Sequence, residues 1–70
     1  MNTYVYKDPA KKFELDIVER PGSVRVTLTD KGVTTQVCTA KNLEAAFQEV
    51  ESLFKAAGKP VPSRDQWKML

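Results

Sequence analysis

Residues 43–57 read LEAAFQEVESLFKAA, and this stretch decides the fold. Its apolar side chains recur three or four residues apart, the spacing of one helix face. They are Leu43, Ala46, Phe47, Val50, Leu53, Phe54 and Ala57. Asn42 is a favourable N-cap residue, and Gly58 followed by Pro60 is typical of a helix end. The stretch therefore predicts one amphipathic helix between Asn42 and Gly58.

Three stretches before this helix alternate apolar and polar residues, as half-buried strands do. They span residues 12–18, 23–29 and 33–39, with turn residues between them, and Tyr4-Val5-Tyr6 predicts a short first strand. The pattern predicts an α+β domain: a three- or four-stranded antiparallel β-meander with one C-terminal helix packed on one face. We expect this domain to span residues 1–59. Residues 60–70 form a proline-containing tail, in which Ser63 and Gln66 have the capping-box spacing of a short final helical turn.

The register follows from placing all inward residues on one face. It pairs Ile17 with Val24, Leu15 with Val26, and Val26 with Val37. On the outward face, it predicts one row formed by Asp16, Arg25 and Cys38, and a second row formed by Glu14, Thr27 and Gln36.

Composition excludes several function classes. The 70 residues carry a net charge of +2, which is too weakly basic to indicate nucleic-acid binding by itself. The chain has one cysteine, Cys38, and no histidine, so we expect no internal disulfide, no metal site, no cofactor and no catalytic base. Cys38 is interpreted as a passive strand residue, although Arg25 in its row would favour the thiolate. These features predict a non-enzymatic protein of the reducing cytoplasm.

The outward sheet face, or an edge of the sheet, is the leading candidate for function, as the docking surface of a small regulator or inhibitor. A flat face suits another protein, or a second copy of this chain, better than a small-molecule substrate. Its central contacts would be Asp16, Arg25, Thr27 and Gln36. Apolar runs of only a few residues predict no association with a membrane. Trp67 has two interpretations: it seals an open end of the core, which we favour, or it anchors a partner.

The alternative candidate is a lysine-rich end of the sheet. The meander brings the loop before the first long strand and the Asp30-Lys31-Gly32 turn to one end, where the helix also finishes. Six lysines, partly offset by Asp8 and Asp30, would gather there: Lys7, Lys11, Lys12, Lys31, Lys55 and Lys59. Such a cluster could hold the phosphates of DNA or RNA weakly and without sequence specificity, since arginine is the residue that reads bases.

Two segments resemble known families. Tyr4-Val5-Tyr6-Lys7-Asp8-Pro9 is similar to the start of the sheet in the arm-site DNA-binding domains of phage integrases, which bind DNA with a three-stranded sheet. The stretch from Leu43 to Pro62 resembles the end of the sheet-and-helix domain of HicB-type antitoxins, which binds a toxin protein. The basic sheet face of the first family and the Pro-Gly-Cys strand motif of the second are absent. The resemblances imply a small accessory protein of a bacterium or its phages.

Overall fold

The computed structural model describes residues 2–70, which form a five-stranded antiparallel sheet with one helix packed on it. The elements are β1 (Thr3–Lys7), β2 (Phe13–Arg20), β3 (Ser23–Asp30), β4 (Val33–Ala40), α1 (Leu43–Ala56), a 3-10 turn (Arg64–Gln66) and β5 (Lys68–Met69). The strand order across the sheet is β4-β3-β2-β1-β5. The α+β class is confirmed. The sheet has five strands, more than predicted, because the tail returns to pair with β1, placing Met69 opposite Tyr4.

The core lies between α1 and the inward side chains of the sheet. Its buried residues are Tyr6, Leu15, Ile17, Val24, Val26, Ala46, Val50, Phe54 and Trp67. The helical stripe is confirmed except at its C-terminal end, where Leu53 is 43% exposed and Ala57 is exposed. The reason is that Phe54 packs towards β1 and β2. The centre of its ring lies 5.9 Å from the ring centre of Tyr6 and 6.1 Å from that of Phe13.

Both ends of α1 follow the predicted chemistry. Asn42 Oδ1 accepts a hydrogen bond of 2.8 Å from the backbone N–H of Ala45, which satisfies one unpaired donor of the first turn. Gly58 has a φ of 69°, the left-handed conformation in which glycine commonly ends a helix.

The register between β2 and β3 differs from the prediction by two residues. Ile17 pairs with Val26 instead of Val24, and Leu15 pairs with Leu28 instead of Val26. The chain turns at Pro21 and Gly22, whereas the predicted register centres the turn one residue earlier, on Arg20 and Pro21. A shift of two residues keeps every side chain on its predicted face but changes its neighbours across the strands.

A β-bulge changes the pairing of β3 with β4. Val26 pairs with Cys38 instead of Val37, while Thr27 still pairs with Gln36. Val37 is therefore the extra residue of the bulge, and both Val37 and Cys38 pack against the core. The predicted outward position of Cys38 is wrong, because the bulge returns its side chain to the inner side of the sheet.

The C-terminal tail is part of the packed structure. Trp67 is buried, with its ring 5.5 Å from Tyr6 and 5.3 Å from Phe47. The Arg64 guanidinium lies 3.9 Å from the centre of the Phe47 ring and donates to both carboxylate oxygens of Glu44 at 3.0 Å. These contacts confirm the interpretation in which Trp67 seals the core.

Candidate protein-binding face and lysine-rich end

The sheet face that points away from α1 is not covered by any element of residues 2–70. We call it the outer face. Its central row crosses all five strands through Lys68, Val5, Asp16, Thr27 and Gln36. Three of the predicted contact residues, Asp16, Thr27 and Gln36, are therefore direct neighbours.

Arg25 lies in the adjoining row of the outer face, opposite Val18 and Thr39. The prediction that it faces Asp16 directly is wrong, because the turn at Pro21 and Gly22 lies one residue later than predicted and moves Arg25 to a diagonal position. Arg25 is exposed, and its side chain makes no ion pair with any described residue. It is thus available to a partner on the same face as Asp16.

Asp16 is the most perturbed group of the outer face. Its side-chain atom Oδ1 is buried and accepts no hydrogen bond from any described residue. Burial, and to a smaller extent a hydrogen bond and charge repulsion from the neighbouring Glu14 carboxyl, together raise the pKa of Asp16 to about 6. The outer face therefore holds an acceptor that lacks a donor at its centre.

Other polar groups of the outer face are mutually bonded. Gln36 Nε2 donates to Thr39 Oγ1 at 3.0 Å, and the hydroxyls of Thr29 and Thr34 are 2.9 Å apart. These bonds fix side chains of β4 on a flat, polar surface.

Cys38 is not part of the outer face. Burial raises the pKa of its thiol, and the negative charge of Glu49 raises it further. Arg25, expected to favour the thiolate, projects from the opposite side of the sheet. The Cys38 environment thus disfavours the reactive thiolate.

The structure gathers five of the six predicted lysines at one end of the sheet. Lys7, Lys11, Lys12, Lys31 and Lys59 line two adjoining open cavities between the β1–β2 loop, the β3–β4 turn and the end of α1. We call this set the lysine-rich end. Lys55 does not line either cavity, because its ammonium group binds Glu51 at 2.9 Å, one helical turn earlier.

Local hydrogen bonds shape the β1–β2 loop around Asp8. Its carbonyl accepts from the Lys11 N–H at 2.8 Å, and its Oδ2 accepts from the Lys12 N–H at 3.1 Å. Lys11 has a φ of 58°, and Lys31 in the opposite turn has a φ of 53°. Lysine rarely adopts this left-handed conformation, so both turns hold a lysine where glycine or asparagine is favoured.

An aromatic ring lies beside the lysines. Phe13 is half-buried and lines both cavities of the lysine-rich end, and Lys59 Nζ lies 5.2 Å from the centre of its ring. This contact is a cation–π interaction. The site thus combines part of an aromatic surface with lysine charge, which Asp8, Glu14 and Asp30 in the lining of the same cavities partly offset.

The sequence interpretation missed an apolar groove next to the lysine-rich end. The groove has a volume of about 270 Å³ and is lined mainly by Phe13, Leu15, Leu28, Val37, Leu53, Phe54 and Ala57. It lies where the end of α1 leaves the inner side of β3 and β4 uncovered. A sequence signal was available, since β4 next to it contains neither a charged residue nor a proline.

None of the helices formed by residues 2–70 has the length and apolar character needed to cross a membrane. Comparison with known proteins finds no matching family model, no matching curated protein and no matching solved structure.

Proposed function

We propose that this chain is a small non-enzymatic protein-binding domain, of the regulator or inhibitor kind, that docks through its outer face. The observation that carries the proposal is the buried, unsatisfied Oδ1 of Asp16 at the centre of that face. A buried acceptor without a donor costs free energy, and docking in which the Asp16 carboxyl turns towards a donor of the partner removes this cost.

The surroundings of Asp16 support the same surface. Thr27 and Gln36 lie in its row, and Arg25 projects beside it without an intramolecular ion pair to any described residue. Arginine is enriched among the residues that dominate binding energy at protein interfaces. The partner therefore needs a hydrogen-bond donor opposite Asp16 and a carboxylate opposite Arg25.

The test is a comparison of variants in affinity capture from the native cell. Arg25→Glu reverses one charge on the outer face, and Lys41→Glu makes the same change in the exposed segment before α1. We expect a protein that is captured by the wild type and by Lys41→Glu and is lost with Arg25→Glu. Equal capture by both variants would reject the outer face as the docking surface.

A second candidate function is weak binding of DNA or RNA at the lysine-rich end. The observation that favours it is the convergence of five lysines, two of them in strained left-handed conformations, around shared cavities. Strain that persists at a cluster is a reason to suspect function there. Lysine ammonium groups neutralise phosphates, and the Phe13 ring offers a surface on which a base can stack.

Fluorescence anisotropy with a labelled oligo-deoxythymidine at low salt tests this candidate. The triple variant Lys11→Glu, Lys12→Glu and Lys31→Glu should abolish binding. The matched control Arg20→Glu, Lys41→Glu and Lys68→Glu changes the net charge equally but lies outside the lysine-rich end. Equal loss in both triple variants would show that only net charge matters and would reject a site.

A further inference from the structure

Strand β4 forms one edge of the sheet, and no described residue pairs with its outer side. At the other end of the strand order, β5 pairs with part of β1 and covers its free edge. Natural proteins protect edge strands with charged residues, prolines or bulges. The eight residues of β4 include neither a charge nor a proline, and the bulge at Val37 disturbs only their second half. The first half of β4 is thus a regular and unprotected edge.

The turn before β4 determines which backbone groups this edge presents. Lys31 and Gly32 both have positive φ, at 53° and 79°, as a type I′ hairpin turn requires. The residues that flank such a turn, Asp30 and Val33, exchange their backbone hydrogen bonds. Because an antiparallel ladder alternates, the N–H and C=O groups of Thr34 and Gln36 point away from β3.

We propose that β4 pairs with β4 of a second copy of this chain, in antiparallel orientation, about a two-fold axis beside Thr35. In this register, Thr34 of each copy lies opposite Gln36 of the other, and their outward backbone groups exchange hydrogen bonds. Thr35 lies opposite its own symmetry mate. The edge is therefore complementary to itself, as a symmetric dimer requires.

The same register brings apolar side chains together on the inner side of the sheet. Val33 is 65% exposed, and it would face Val37 of the other copy. Val37 lines the apolar groove together with Leu28 and Leu53. One copy therefore supplies Val33 to the rim of the groove in the other, and both grooves gain cover by symmetry.

The size and charge of the surface also fit a second copy. The five residues 33–37 that this register pairs span about 17 Å. With a molecular thickness of 21 Å, they offer on the order of 350 Å² per copy, the size of a weak, transient interface. A net charge of +2 gives little repulsion between copies. We therefore expect a dimer that dissociates on dilution.

This inference does not depend on the outer-face proposal, since the dimer forms without another partner. Pairing through β4 would join two sheets edge to edge, so that two outer faces form one continuous surface. A partner with two equivalent sites would then bind with a higher effective concentration at its second site.

Sedimentation velocity between about 5 and about 500 μM tests the dimer. The wild type should change from monomer to dimer across this range. Val33→Lys places a charge at the apolar contact, and Thr34→Pro removes an outward N–H that β3 does not use; both should remain monomeric at the highest concentration. Val61→Lys is the matched control, because Val61 is also exposed, at 40%, and should dimerise like the wild type.

A cross-link tests the register independently. In a Cys38→Ser background, Thr35→Cys should form a disulfide-linked dimer under mild oxidation, since opposed residues without mutual backbone bonds bring their Cα atoms to about 4.5 Å. Thr39→Cys should not cross-link. A wild type that stays monomeric throughout the concentration range would overturn the inference. Dimerisation that survives both Val33→Lys and Thr34→Pro would overturn it as well.

Discussion

The Trp67 indole packs edge-on against the Phe47 ring, with 5.3 Å between ring centres and an angle of 86° between ring planes. This geometry is favourable for an aromatic pair, and it joins the last residues of the chain to the middle of α1. A chain of 70 residues has a thin core, so one buried tryptophan is a large part of it.

Trp67→Ala should therefore lower the free energy of unfolding by about 3 kcal/mol. Urea unfolding followed by circular dichroism measures this change. Val61→Ala in the same segment is the control, and it should change stability by less than about 0.5 kcal/mol because Val61 is exposed. Similar effects of the two substitutions would show that the tail does not contribute to the core.

Replacing Lys31 in the β3–β4 turn should make the protein more stable. Lys31 occupies the first central position of a type I′ turn with a φ of 53°, where asparagine is much preferred. Lys31→Asn should raise the free energy of unfolding by about 0.5 to 1 kcal/mol. The same variant should weaken binding of oligo-deoxythymidine if the lysine-rich end binds phosphates. If Lys31→Asn is more stable but binds oligo-deoxythymidine as tightly as the wild type, the Lys31 side chain does not contact phosphate.

Stability should depend on pH through Asp16. Its pKa is about 6 in the folded protein, against an ordinary value of 3.8. Between these values the folded state binds more protons than the unfolded state, so this group makes stability fall as pH rises from about 4 to about 6. After allowance for partial exposure, we expect a loss on the order of 1 to 2 kcal/mol above pH 6.

Asp16→Asn removes this titration. Asparagine resembles the protonated acid, so the variant should be more stable than the wild type at pH 7 and equally stable near pH 4. Thermal unfolding at both pH values measures the difference. If the stability of Asp16→Asn changes between pH 4 and pH 7 by as much as that of the wild type, other carboxyl groups cause the pH dependence.

Salt dependence tests phosphate contacts at the lysine-rich end. Each phosphate neutralised on a single strand contributes about −0.7 to the slope of log K against log salt. Lys11→Glu should make this slope less negative by about that amount, whereas Lys55→Glu should not, because Lys55 is paired with Glu51. Equal slopes in the two variants would indicate diffuse attraction without a defined site.

Local sequence patterns predicted the faces of the strands better than their partners. The alternation of apolar residues in β2 and β3 was enough to orient Ile17 and Val26 inward, where both are fully buried. It was not enough to pair them, because a register shift of two residues leaves the apolar pattern unchanged. Only the geometry of the Pro21-Gly22 turn distinguishes the two registers.

The bulge and the groove could not be predicted in the same way. Alternation alone placed Cys38 outward, and the extra residue Val37 reverses that assignment. Leu53 belongs to the helical stripe by spacing, yet it is exposed because the aromatic residues of α1 pack towards β1, β2 and the tail. Both outcomes depend on contacts between segments distant in the chain. The lysine-rich end was predictable because it follows from strand order alone.

The central claim is that the outer face holds a half-buried carboxyl group, one oxygen of which, Asp16 Oδ1, is shielded from water and left without a donor. Carbon-detected NMR titration of the Asp16 side chain measures this directly in the unliganded protein. The account predicts a pKa of about 6 for Asp16. A value near 3.8, the ordinary value for aspartate, would mean that the carboxylate is hydrated, and it would contradict the account.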